Sequence, residues 1–62
     1  MNEKPQYLTL EQVAEALQLQ VETIRRYVRA GELKAARFGR RYRVRPEELD
    51  RFVRMKEETD EK

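Results

Sequence analysis

Residues 8–33 read LTLEQVAEALQLQVETIRRYVRAGEL, and this stretch decides the fold. Thr9 stands three residues before Gln12, so its hydroxyl can accept the Gln12 amide while the Gln12 side chain reaches back, a capping box that opens a helix. Leu8 before the cap and Val13 after it have the spacing of a hydrophobic staple. Leu10, Val13, Ala14 and Leu17 recur at i, i+3, i+4 and i+7, which gives this helix one apolar face. After Gln18-Leu19-Gln20 a second helical pattern runs from Val21 to Ala30. It stops at Gly31, which adopts the left-handed C-cap conformation without a Cβ clash. At about 100° per residue, Ile24, Tyr27 and Val28 share one side of the second helix, and Glu22, Arg25, Arg26 and Arg29 share the other. A connection of about three residues is that of a helix-turn-helix pair, in which the helices must cross. Leu17, Leu19, Ile24 and Val28 are the expected shared core.

Beyond Leu33 the period changes to two. Ala36, Phe38, Tyr42 and Val44 alternate with Arg37, Arg41 and Arg43 around Gly39-Arg40, the pattern of a β-hairpin. Their common parity predicts that Phe38 and Tyr42 pack inward with Ala36 and Val44, leaving arginine on the other face and at the tip. Pro46 suits the first position of a third helix, where its missing amide costs nothing. Glu47 and Glu48 then sit beside the positive end of the helix dipole, and Leu49, Phe52 and Val53 form a stripe that Lys56 ends. The expected organisation is a disordered lead-in over 1–6, one domain over 7–56 and a charged disordered tail over 57–62. The fold class is mostly α with a small β-hairpin.

The chain has 62 residues, enough for one small domain whose folding buries only about 60% of the unfolded surface. It contains neither Cys nor His. Disulfides, thiolate metal sites, thiol nucleophiles and imidazole bases are therefore excluded. A core this small cannot enclose a substrate-sized cavity, so the reading is of a protein that is not an enzyme and needs no cofactor or metal. No apolar run approaches the roughly 18 residues of a membrane span, and residues 1–6 lack the apolar centre of a signal peptide. A cytoplasmic protein without membrane contact is expected.

Charge is distributed unevenly. Residues 1–24 carry one Lys against four Glu, a net of −3. Residues 25–45 carry nine basic groups against Glu32 alone, a net of +8. Residues 46–62 carry four basic and seven acidic groups, again −3. A basic block between acidic flanks is the electrostatic footprint of a protein that meets a polyanion. The major groove of duplex DNA, about 12 Å wide, admits one helix, and arginine there can pair with guanine O6 and N7. Arg25, Arg26 and Arg29 are the candidates on the second helix. Thr23 is placed for a phosphate or a thymine methyl, and Glu22 for cytosine N4 or for an intrahelical ion pair with Arg26. On the hairpin, Arg37, Arg40, Arg41 and Arg43 can follow the backbone or the adjacent minor groove, whose negative potential attracts arginine.

The segments Tyr7-Leu8-Thr9-Leu10-Glu11-Gln12-Val13-Ala14, Val21 to Leu33, and Phe38-Gly39-Arg40-Arg41-Tyr42-Arg43-Val44, in this order and spacing, resemble the excisionase-family winged helix-turn-helix DNA-binding domain. That family is akin to the N-terminal domain of mercury-resistance-type regulators. The resemblance spans roughly residues 7–54. It implies a recognition helix at Val21 to Ala30, a two-stranded wing at Arg37 to Val44 and a closing C-terminal helix from Pro46. Gln18 stands where the family often has Gly, and Gln20 where it has a capping Ser. The resemblance further implies a partner in double-stranded DNA and a role in recombination directionality or transcriptional regulation. An integrase or recombinase, or further copies of the chain on DNA, would be additional partners of a protein monomeric without DNA. A protein-interaction adaptor whose basic face docks an acidic partner, and a DNA packaging or replication adaptor, are the alternatives.

Overall fold

The structure, a computed structural model, describes residues 6–60. The expected lead-in lies outside the described residues but for the exposed Gln6. The elements run β1 (Leu8–Thr9), α1 (Leu10–Leu17), α2 (Val21–Arg29), β2 (Ala36–Phe38), β3 (Arg41–Val44) and α3 (Pro46–Asp60). This is the winged helix-turn-helix arrangement, with one strand more than the hairpin alone supplies.

The capping box forms as read: the Gln12 amide donates to Thr9 Oγ1 at 3.0 Å, and the Thr9 amide donates to Gln12 Oε1 at 2.8 Å. An N-cap residue is extended by nature, and Thr9 (φ −80°, ψ 164°) is already in strand conformation. Leu8 and Thr9 therefore pair with Val44 and Arg43 at no added backbone cost, and the sheet has the antiparallel order β1-β3-β2. Both α1 and α2 end in Schellman motifs. At the end of α1, the Leu19 amide donates to the Ala14 carbonyl at 2.8 Å and the Gln18 amide to the Glu15 carbonyl at 3.1 Å. The left-handed residue there is Gln18 (φ 58°, ψ 44°), the one described non-glycine residue at positive φ. At the end of α2, Glu32 donates to the Tyr27 carbonyl at 2.9 Å and Gly31 (φ 81°) to the Val28 carbonyl at 3.0 Å.

The core joins Leu10, Val13 and Ala14 of α1 to Ile24 of α2, Leu33, Val44 of β3 and Phe52 of α3. Leu17 and Val28 are half-buried against it, but Leu19 is 43% exposed and does not join the expected core. Leu19 follows the left-handed Gln18 at the corner between α1 and α2 and lines an open hollow with Leu17, Tyr27, Phe52 and Val53. The core instead gains Leu33, 1% exposed, which the turn at Gly31 swings back over α2.

The hairpin also departs from the expected parity. A two-residue turn pairs Phe38 with Arg41, Arg37 with Tyr42 and Ala36 with Arg43, and directly paired residues share a face. Even positions on β2 thus accompany odd positions on β3. Tyr42 and Val44 face the core, with Arg37 beside them, while Ala36 and Phe38 turn outward with Arg41 and Arg43. All of β2 is exposed, Phe38 to 53%.

In α3 the Glu48 and Leu49 amides donate to the Arg45 carbonyl at 2.9 and 3.1 Å, so Pro46 occupies the first turn as expected. The helix continues through Asp60, where a disordered tail over 57–62 was expected, and residues 61–62 of that tail lie outside the described residues. Lys, Glu and Met are good helix formers, and propagation from a formed helix needs no burial. Lys56 does not end the packed stripe either. Its ammonium lies 5.1 Å from the Tyr27 ring centre and 3.0 Å from Glu32, tying α3 to α2 and its following turn.

Candidate nucleic-acid interface

The outward side of α2 presents Glu22, Arg25, Arg26 and Arg29, as its period requires. Arg26 and Arg29 are exposed, and Arg25 and Thr23 are half-buried. Glu22 pairs with Arg25 at 3.3 Å, one residue earlier than the expected partner Arg26. The Arg25 and Glu22 side chains retain 39% and 72% exposure respectively, so the bridge is screened and contributes well under about 1 kcal/mol. Arg25 can exchange it for an external acceptor at little cost. No side chain caps the start of α2 at Gln20. The Thr23 amide donates instead to the Gln20 carbonyl at 3.0 Å.

The wing sorts its arginines by what holds them. Arg37 Nε donates to the Gly39 carbonyl at 3.2 Å, and its guanidinium lies 5.6 Å from the Tyr42 ring centre. It braces the tip from the inner face. Arg43 is half-buried and donates to the Tyr42 carbonyl at 3.0 Å. Arg40 and Arg41 project from the tip and are exposed. Gly39 has φ 65°, which the tight turn imposes, and a Cβ built there would meet nothing within 4 Å.

A cleft between the two elements brings the separate arginines together. Arg25 of α2 lines it from one side and Arg40, Arg41 and Arg43 of the wing from the other. The N-cap Thr9, the first-turn residues Leu10 and Glu11 of α1, and Tyr42 complete the lining. The positive end of the α1 dipole adds to the four guanidinium charges, and Glu11 offsets part of them. The result is an open cleft of concentrated positive potential between α2 and the wing. Arg26 and Arg29 stand outside this cleft on the remaining surface of α2. Arg29 borders a shallow hollow with Lys34, a basic residue that the sequence reading did not single out. Its signal was its place in the basic block, between α2 and the wing.

Two further wing-side features were not anticipated. Arg45 covers the Tyr7 ring at 5.9 Å, and Tyr7 meets Phe38 edge-on at 5.5 Å between centroids. Among the described residues no group of His, Cys, Asp and Glu is arranged to hold a metal ion. No described helix is long and apolar enough to cross a membrane. A family model described as a helix-turn-helix domain matches residues 7–57. No curated protein matches the chain.

Proposed function

Since the chain belongs to this helix-turn-helix domain family of excisionase-like DNA-binding proteins, we propose that it binds double-stranded DNA sequence-specifically, with α2 in the major groove and the wing on the flanking backbone. In this reading Arg25 and Arg26 reach guanine edges, and Glu22 and Thr23 contribute contacts at the same end of α2. Arg29 and the wing residues Arg40, Arg41 and Arg43 engage phosphates, and Arg37 holds the tip in shape. The observation that carries the proposal is the cleft that places Arg25 of α2 opposite three wing arginines. One surface can therefore address base edges and the neighbouring backbone together. The biological act is that of an accessory factor, setting recombination direction in the manner of an excisionase or regulating transcription as a small repressor or activator. Both acts consist of occupying a chosen DNA site.

The test is selection of preferred duplexes from a random pool, followed by binding isotherms on preferred and random DNA. Arg25→Ala or Arg26→Ala is expected to cost about 1–3 kcal/mol on preferred DNA and little on random DNA. The double change Arg40→Ala with Arg41→Ala should weaken both DNAs by similar factors and flatten the salt slope by roughly two. Loss of specificity in the wing variant, with specificity kept in the helix variants, would reverse the assignment of roles. Equal affinity for an acidic polypeptide would instead favour a protein partner on the basic face.

A further inference from the structure

Phe38 is the most exposed large apolar side chain among the described residues, at 53%. It sits where exposure has a geometric meaning. It is the last residue of β2, directly before the Gly39-Arg40 tip and opposite Arg41. All three β2 residues are exposed and β2 is an edge strand, so this side of the hairpin is open apart from Tyr7. The ring is nonetheless held. Tyr7 abuts it edge-on at 5.5 Å, and Tyr7 is in turn covered by the Arg45 guanidinium and anchored by the adjoining β1. A small domain with a thin core thus keeps a phenyl ring out of that core, buttressed and flanked by exposed Arg40 and Arg41.

We propose that Phe38 is an intercalating wedge that partly unstacks one base step in the minor groove beside the α2 site. The idea rests on the DNA-binding reading above and deepens it. A two-residue tip with no Cβ at Gly39 is slender enough for a groove about 6 Å wide, whose potential draws Arg40 and Arg41 to its walls. Phe is among the side chains able to enter between base pairs. The kink it produces bends the duplex toward the major groove, where α2 lies. Flexible pyrimidine–purine steps are unstacked most easily, so the wedge would add sequence preference at a position α2 never touches. A platform for single-stranded bases fits less well: the Tyr7 and Phe38 rings are inclined at 65° and share no plane on which successive bases could stack.

The experiment uses the full chain and a duplex recovered by selection from a random pool. 2-Aminopurine is placed in turn at each adenine flanking the α2 footprint, with dyes at both ends to report bending. The wild type is expected to raise 2-aminopurine fluorescence at one flanking step and to shorten the end-to-end distance. Phe38→Ala should abolish both signals and weaken binding about ten-fold, with the salt slope and the melting curve unchanged. Phe38→Leu should retain both signals, since a wedge must be apolar but need not be aromatic. A wild type that saturates the duplex without brightening any flanking step overturns the wedge while leaving DNA binding intact. Undiminished signals in Phe38→Ala overturn it too, as does a loss confined to a single-stranded oligothymidine probe. If the wild type fails to bind duplex at low salt, the DNA-binding reading itself falls.

Discussion

Replacing Gln18 by Gly should stabilise the domain, although Gly is ordinarily the poorer residue. Gln18 holds φ 58° and ψ 44°, the conformation that lets its amide and that of Leu19 close the end of α1 on Glu15 and Ala14. For a residue with a Cβ the left-handed helical region costs about 1–2 kcal/mol, and glycine escapes that strain. Glycine also gains freedom in the unfolded chain, which returns roughly 0.5–1 kcal/mol of the benefit. The Gln18 side chain is exposed and makes no hydrogen bond that its removal would forfeit. A net gain of about 0.5–1 kcal/mol is expected, which in a domain this small raises Tm by about 2–8 °C. Gly31→Ala is the mirror experiment. Gly31 has φ 81° and a Cβ there would touch nothing within 4 Å, so the net loss of about 1 kcal/mol is left-handed strain, with no clash, less the unfolded-chain freedom that alanine gives up. Thermal unfolding followed by far-ultraviolet circular dichroism measures both variants. If Gln18→Gly leaves Tm unchanged or lowers it while Gly31→Ala behaves as expected, the strain argument at the helix-turn-helix corner is refuted.

Other consequences can be checked in the same way. Ile24 is fully buried, and Ile24→Ala should cost about 2–5 kcal/mol, comparable to all that a core of this size supplies. The variant should be largely unfolded at room temperature, and a cooperative transition only a few degrees lower would contradict that. Thr9→Ala should cost about 1 kcal/mol, and Gln12→Ala should add less in its presence than alone, because the capping box is reciprocal. A double-mutant cycle with no coupling would show that the two bonds act independently. Lys56→Met keeps the stem over Tyr27 and Phe52 and should cost less than about 1 kcal/mol, whereas Lys56→Ala should cost more. Urea unfolding separates the two. With about five to seven arginine–phosphate contacts, log K on duplex DNA should fall with log salt at a slope near −5. A slope near zero excludes a phosphate-dominated interface.

What the sequence by itself determined was whatever depends on neighbours within a few residues. Thr9 with Gln12 opens α1, Gly31 closes α2, Pro46 starts α3, and the 3.6-residue period turns Arg25, Arg26 and Arg29 away from Ile24. The +8 block and the short α1–α2 connection pointed to a polyanion-binding helix-turn-helix on the same local grounds. Tertiary structure decided the rest, because it depends on which distant segments meet. Strand β1 exists only because an extended N-cap found β3 alongside it. Alternation along the hairpin identified two faces, but the two-residue turn shifted their phase between β2 and β3, putting Phe38 on the face of Arg41 and Arg37 on the face of Tyr42. Leu33 joined the core through the turn at Gly31, which folds back over α2, while Leu19 stayed exposed. For the candidate site, the sequence named its arginines, yet it could not reveal that Arg25 faces Arg40, Arg41 and Arg43 across one cleft, nor that Arg37 and Arg43 spend a hydrogen bond on the wing itself. Periodicity describes one element at a time, whereas that cleft lies between a helix and a hairpin whose relative placement is set by the packing of Ile24, Leu33 and Val44.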